Sequence, residues 1–291
     1  VFDETSGRFD PTIGAVVNAW DFGPEGKIEQ LDSVKIKNLM QSVGLNKVSV
    51  EGFQIKKPSA TKIDFNAIAK GYGVDQIAYF LESKNVSNFL VEIGGEIVCK
   101  GINSSKGAPW KIGIQNPNIE SDIPYLNSVE LNNKAMATSG TYRKYKIDEN
   151  GRRYTHIIDA KTGYPSRSNI LSISVIAENC MAADAYATAL QTMNLEELFQ
   201  EKFIGLYKEG YKQNKETHYS SPEELREFFE DGVAILDFLK KKRKQYFGNR
   251  GWHLAGIELP IVMNVGRNLV YKGFIDLVLY HEPTNKFYVY D

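Results

Sequence analysis

Cysteine is scarce: the 291-residue chain has two, Cys99 and Cys180. So few exclude a disulfide-stapled scaffold, and their spacing fits neither a zinc site nor a CxxC redox pair. Both are expected as small, buried apolar residues. Long apolar runs are missing too. No stretch approaches the roughly 18 consecutive apolar residues of a membrane-spanning helix, and no basic-then-apolar leader opens the chain. Charge of one sign is not in excess, since 35 Lys and Arg stand against 36 Asp and Glu for a net charge of -1. That balance excludes a global basic field, so any nucleic-acid contact has to be local. Internal repeats and low-complexity tracts are also lacking.

What is present is an ordinary globular composition, 42% hydrophobic and 24% charged. At about 100–200 residues per domain, the length suggests two domains. The chain opens at Val1 and stops directly after the strand-like run FYVYD, as expected of a fragment cut at both ends. Asp32 to Val43 carries apolar residues at helical spacing and stops at Gly44; a second helix is expected from about Ala67 to Ser83. FLVEIGGEIVCKG and WKIGIQNP read as strands, with Gly94 and Gly95 implying a bulge or a close approach by a ligand. Asn169 to Ala177 reads as a buried strand, and the alanine-rich CMAADAYATALQTM as a helix.

From about Asn194 the texture changes. A charged helix is expected from Leu195 to Asn214. Ser221-Pro222-Glu223-Glu224 then offers an N-cap, a first-turn proline and a capping-box glutamate, opening a helix that runs to about Tyr246. Three strand-like runs follow, Gly256 to Val265, Leu269 to Tyr280 and Lys286 to Asp291. The expected fold is α+β, with a domain 1–194 of mixed α/β structure and a domain 195–291 made of a long helix and a three-stranded antiparallel meander.

Four segments place Gly, Ser, Thr or charge where packing alone would not: DFNAIAKGYGVD (Asp64 to Asp75), VEIGGE (Val91 to Glu96), ATSGTY (Ala137 to Tyr142) and THIIDAKTG (Thr155 to Gly163). At junctions of strand and turn, backbone N–H groups there would face a phosphate. In CMAADAYATAL, Asp184 and Thr188 are spaced i,i+4, which sets a carboxylate and a hydroxyl on one helical face, suited to a hard divalent ion. Taken singly, Asp184 could be a polar helix residue, His156 a satisfied histidine and Gly94-Gly95 only a bulge. Together they point to metal-assisted phosphoryl or nucleotidyl transfer.

FDPTIGAVVNAW, DFNAIAKGYGVDQIA, FLVEIGGEI, WKIGIQNP, ATSGTYRKY, YTHIIDAKTGYP and AADAYATAL follow one another as in the ApbE family, the FAD:protein FMN transferases, which residues 1 to 193 resemble. The resemblance implies an ApbE-type, T-fold-like core and a magnesium-dependent enzyme. Such an enzyme cleaves the pyrophosphate of its substrate FAD, transfers FMN to a Thr or Ser hydroxyl of an acceptor protein, and releases AMP. It implies Asp184 and Thr188 as Mg2+ ligands, with a backbone carbonyl in the DFNAIAKGY loop, that of Ala67, as a third. Thr138, Ser139 and Gly140 resemble the flavin-contacting turn, and Gly94, Gly95, Thr162 and Gly163 would let backbone approach FAD. By the same resemblance His156 stands where the family keeps a histidine near the pyrophosphate, for phosphate stabilisation or proton transfer, and Asp159 would orient its loop. Ala160 replaces the family's usual proline. The family's segment before FDPTIG and its strand after the metal-binding helix lack counterparts, so impaired transfer is expected.

In the last third, Glu258, Asp276 and Asp291 would sit side by side if simple hairpins form at NVGRN and HEPTNK, and carboxylates so arranged favour a divalent cation. Residues 195–291 resemble the PD-(D/E)XK nucleases, particularly the phage-exonuclease and RecB-like branch. That resemblance implies a restriction-endonuclease-like fold, Asp276 and Asp291 as metal ligands, Glu258 as auxiliary, DNA as partner, and a catalytic lysine just past the end. The basic run Lys240 to Lys244 would face a DNA backbone or simply complement a helix dipole. Transferases of the first family are commonly exported or membrane-anchored, whereas a DNA nuclease belongs in the cytoplasm. The sequence is therefore expected to be a flavin transferase core joined at an artificial junction to a partial nuclease; the alternatives are a working nuclease and an inactive chimera.

Overall fold

The computed structural model describes the chain apart from residues 119–120, 143, 148–150, 152, 214–217, 219, 247–251, 265–269, 282–285 and 291. At 202, 206, 239–240, 242–246, 252–264, 270–281 and 286–290 it describes the backbone alone. The chain divides into two units, Val1–Leu198 and Phe199–Asp291.

In chain order the first unit holds helix α1 (Gly14–Ala19), helix α2 (Ser33–Met40), strands β1 (Ser49–Glu51) and β2 (Gln54–Lys56), and helix α3 (Ala69–Ser83). Strands β3 (Phe89–Ile93), β4 (Glu96–Lys100), β5 (Ile102–Asn103), β6 (Ala108–Gln115), β7 (Tyr125–Leu131) and β8 (Ala135–Gly140) follow. Next come the short β9 (Tyr145–Ile147), β10 (Arg153–Thr155), β11 (Ile158–Asp159) and β12 (Tyr164–Pro165), then β13 (Ser172–Ala177) and helix α4 (Cys180–Leu190).

An antiparallel sheet of order β13-β8-β4-β3 is the centre of this unit. Successive strand residues point to opposite faces, so β4 and β8 build two cores at once. Val98 and Ala135 join Val74, Ala78 and Cys180 beneath α3 and α4. Ile97 and Met136 turn the other way and bury Ile112 and Leu131 of the β6–β7 hairpin. Each fully buried aliphatic side chain of this kind contributes about 1.5–3 kcal/mol relative to exposure. Cys99 and Cys180 are buried, unbridged members of these cores, and burial pushes both thiols up to about 12.

Helices α3 and α4 approach closely because Gly71 has no side chain: a Cβ there would lie 2.4 Å from the Cys180 carbonyl oxygen. The buried Asp75 carboxylate crosses the same gap and accepts the N–H groups of Cys180 and Met181 at 2.8 and 2.9 Å. Those N–H groups belong to the first turn of α4, which has no intrahelical partners for them. Asn179 caps the same end, its side chain accepting from the Ala182 N–H at 2.8 Å.

Several local expectations need correction. Gly94 and Gly95 form the two-residue turn of the β3–β4 hairpin, with φ of 62° and 103°, and not a bulge. Two consecutive positive φ values are what such a turn requires and what glycine adopts without steric cost. Helix α3 begins at Ala69, two residues later than the apolar periodicity suggests, because the chain first makes an Asx turn in which the Asn66 N–H donates to Asp64 at 2.7 Å. β13 is half-buried where its β-branched content suggested full burial, since it lies at the sheet edge. Thr138, Ser139 and Gly140 occupy the end of strand β8 and not a turn.

Helix α5 (Leu195–Gln213) runs from the first unit into the second, which continues with α6 (Pro222–Tyr246), β14 (Trp252–Asn264), β15 (Val270–His281) and β16 (Lys286–Tyr290). The capping box is present: the Glu224 N–H donates to Ser221 Oγ at 3.2 Å, and the Ser221 N–H to Glu224 Oε2 at 2.8 Å. Phe199, Phe203 and Phe229 pack with ring centroids 5.7–6.1 Å apart. The strands form an antiparallel meander in chain order.

Candidate active site

Asp184 lies in the second turn of α4 and is 4% exposed. Its Oδ2 accepts the Gly71 N–H at 3.1 Å, from the first turn of α3. Burial pushes its carboxyl up to about 6; the Gly71 hydrogen bond and the Lys70 charge oppose that rise, and the Glu96 charge adds to it. One turn further along the helix, the Thr188 hydroxyl meets Ser139 Oγ at 3.3 Å. Thr138 in turn shares a hydrogen bond with Ser174 of the neighbouring strand at 2.8 Å. The sheet thus presents Ser139 to the helix face that carries Asp184 and Thr188.

The β3–β4 turn closes on the same place. Lys70 pairs with Glu96 at 2.5 Å, and a Cβ on Gly94 would stand 3.6 Å from Lys70 Cδ and 3.8 Å from Glu96 Oε2. Gly95 beside it has nothing within 4 Å of its missing Cβ, so its backbone is open to a ligand. Ala67 is half-buried in the turn leading into α3, which the Ile68 and Ala69 N–H groups close on the Phe65 carbonyl at 2.9 and 2.8 Å.

His156 is positioned by a ring neighbour and a backbone carbonyl. Its Nδ1 lies 3.1 Å from the Lys144 carbonyl oxygen, and Phe22 packs edge-on at 6.2 Å. A carbonyl oxygen only accepts, so Nδ1 carries the hydrogen and Nε2 keeps its lone pair in the neutral ring. Burial lowers the pKa of His156; the hydrogen bond to Lys144 opposes that, and the charges of Lys144 and Lys70 reinforce it. The imidazole is therefore neutral near pH 7, with a free nitrogen base.

Asp159 organises its own turn: Oδ1 accepts the Lys161 N–H at 2.9 Å, Oδ2 the Thr162 hydroxyl at 3.3 Å, and its carbonyl the Gly163 N–H at 2.8 Å. Trp20 Nε1 donates to the Gly163 carbonyl at 2.8 Å, while the Trp20 ring packs on Tyr154 and Tyr164. At φ 75° and with Met40 Sδ 2.8 Å from any Cβ, only glycine suits position 163. Asp159 and Thr162 line a recess of about 440 Å³ whose walls include none of Asp184, Thr188 or Gly94. The site residues therefore fall into two groups, one around Asp184 and Lys70, the other around the Asp159 turn.

Sequence reasoning passed over four contributors: Asp75 and Lys70, both inside the DFNAIAKGYGVD segment, Glu96 in VEIGGE, and Asp10. The buried Asp10 carboxylate accepts the Thr12 N–H and hydroxyl at 2.8 and 2.6 Å and the Leu45 N–H at 3.1 Å, tying the FDPTIG segment to the turn that follows α2. An acid two residues before a threonine in a proline turn was the available signal.

A hard cation fits this donor set. Asp184 and Thr188 offer oxygen ligands on one face, and a cation beside the buried carboxylate would reverse the burial that disfavours its charge. Among the described residues no cluster of three His, Cys, Asp or Glu side chains could hold a metal.

In the second unit, the register opposes Ile257 to Leu277 and Leu259 to Ile275, so Glu258 and Asp276 fall at facing positions between those pairs. Asp291 lies outside the described residues. The side chains of Lys240 and of residues 242–244 in the basic run are also outside the described part.

The chain matches the ApbE family over residues 1–203. It is 39% identical over 194 residues to the FAD:protein FMN transferase of Vibrio cholerae, covering 66% of this chain and 57% of that protein. The Haemophilus influenzae FAD:protein FMN transferase is 42% identical over 193 residues, covering 64% and 55%. Among solved structures, the flavin transferase ApbE from Vibrio cholerae superposes with a TM-score of 0.61 at 36% identity, over 69% of this chain and 63% of that one. The ApbE protein of Thermotoga maritima gives 0.59 at 32%, over 66% and 62%. The chain belongs to the ApbE family and carries its mixed α/β fold. It spans somewhat more than half the length of the curated relatives it matches.

Proposed function

We propose that this chain is a magnesium-dependent transferase that moves FMN from FAD to a Thr or Ser hydroxyl of an acceptor protein and releases AMP. The observation that carries the reading, within an ApbE-family chain, is the buried Asp184 carboxylate shared between the N-terminal turn of α3 and the Thr188 face of α4. Asp184, Thr188 and the Ala67 carbonyl are the proposed Mg2+ ligands. Gly94, Gly95, Thr138, Ser139, Gly140, Thr162 and Gly163 are proposed to line the flavin nucleotide.

Bound Mg2+ would neutralise pyrophosphate charge and so favour attack at phosphorus. The free Nε2 of His156 is the proposed base: it takes the proton of the acceptor hydroxyl as that oxygen bonds to the FMN phosphorus. The bond from that phosphorus to the bridging oxygen breaks, and AMP departs with the electron pair. The neutral ring is already in the tautomer this requires, held by Lys144. Asp159 keeps its turn in place without touching the reacting atoms. General-base assistance is worth about 10²–10⁴-fold, so H156A is expected to slow transfer by at least about 100-fold.

Incubation of the full chain with FAD, Mg2+ and a Thr-containing acceptor should add the mass of FMN covalently to the acceptor. No adduct at any magnesium concentration would refute the reading. By family resemblance, an exported location goes with it. A second reading, a metal-dependent nuclease in residues 195–291, is favoured by the opposed register positions of Glu258 and Asp276. Cleavage of linear DNA that depends on Mg2+ and is lost in D276N would support it.

A further inference from the structure

The Lys70–Glu96 pair is out of place for an ion pair that serves stability. Lys70 is the second residue of α3, whose first turn holds no acid, and a cation at a helix N-terminus opposes the helix dipole. Its partner is 2% exposed at the side chain, and Glu96 Oε2 has no hydrogen-bond partner. A buried carboxylate with one oxygen unsatisfied is costly, and such pairs are poor sources of stability. Other half-exposed lysines with ion pairs meet exposed acids: Lys62, Lys100, Lys134 and Lys146 reach Glu25, Glu82, Glu178 and Asp21, each far less buried than Glu96. The Gly94 turn lies directly against the pair, a Cβ there standing at contact distance from both Lys70 Cδ and Glu96 Oε2. The Lys70 charge acts on both Asp184 and His156, lowering the pKa of each.

We propose that Glu96 is a positioning residue that fixes the Lys70 ammonium, at the N-terminal turn of α3 beneath the Gly94-Gly95 turn, to bind the diphosphate of a flavin dinucleotide. An ammonium has three donors; Lys70 is paired with Glu96 Oε1 while about half of its side chain stays exposed, leaving it open to an anion. Fixing it in advance removes the ordering cost of a long, flexible lysine when the anion arrives. Glu96 itself, sealed from solvent, does not touch the ligand. The inference deepens the transferase reading and rests on it.

Equilibrium binding of FAD and of riboflavin, which lacks phosphate, is measured by flavin fluorescence on the full chain without acceptor. E96Q is expected to weaken FAD about tenfold and riboflavin less than twofold. K70A should do the same, and the K70A/E96Q double variant should be no weaker than K70A, because both remove one interaction. FAD affinity unchanged or tighter in E96Q, or equal losses for FAD and riboflavin, overturns the role of Glu96 while leaving the transferase reading intact. Failure of the unsubstituted chain to bind FAD overturns both.

Should E96Q not fold, competitive acetylation of the unsubstituted, ligand-free chain decides the matter. Lys70, Lys100 and Lys134 are similarly exposed at 47%, 45% and 41%, yet Lys70 should react at least fivefold more slowly than the other two. Equal rates would show that Glu96 does not hold it.

Discussion

At the scale of single residues, Asp184 has the clearest consequence. Its folded-state pKa of about 6 lies above the ordinary carboxyl value of 3.8, so between those values the folded chain binds more protons than the unfolded one. Stability of the ligand-free chain should therefore fall as pH rises from about 4 to about 6 and level off above. A shift of that size corresponds to something on the order of 3 kcal/mol. Urea unfolding at stepped pH in EDTA checks this; D184N should flatten the profile and unfold at higher urea than the parent at pH 7. The same substitution is expected to abolish Mg2+-dependent FMN transfer, which separates a stabilising change from a functional loss. The i,i+4 spacing of Asp184 and Thr188 was legible because a helix repeats every 3.6 residues. The Glu96 partner of Lys70 was not, since twenty-six positions and a strand turn separate them, and no local period connects such residues.

At the scale of elements, α3 and α4 are joined by backbone proximity and by one acid. D75A leaves two buried N–H groups of α4 without an acceptor and is expected to cost about 3 kcal/mol. G71A forces a Cβ against the Cys180 carbonyl and should cost about 1–3 kcal/mol. Both are read from chemical denaturation. Helix α6 offers a smaller test: S221A removes the capping-box hydroxyl and should lower stability by about 1 kcal/mol, with E224A producing a similar loss because the two caps are reciprocal. That cap was readable from four consecutive letters, as it involves only neighbours. The Gly94-Gly95 hairpin was not, because a bulge and a two-residue turn draw on the same glycine preference for positive φ. Register between β3 and β4 settles which of them forms, and the half-burial of β13 likewise depends on its place at the edge of the sheet and not on its β-branched residues.

At the scale of the whole molecule, two units of separate contact share one chain. Calorimetry should resolve two unfolding transitions, and FAD with Mg2+ should raise one and leave the other unmoved, since a ligand stabilises only the unit that binds it. By itself the sequence determined the longer helices, several of the strands and the family. Helical and strand periods, caps and ordered glycine-rich segments are local or collinear properties, and they place Asp184, Thr188, His156 and the Asp159 turn on their elements without coordinates. The tertiary structure alone decided which charges meet. It buried Asp184 against the Gly71 N–H, sent Asp75 across to the start of α4, left one oxygen of Glu96 unpartnered, and turned His156 so that Nε2 is the free base. These are effects of burial and of distance between residues far apart in the chain; desolvation and Coulomb interaction act through space, and the order of residues does not record them.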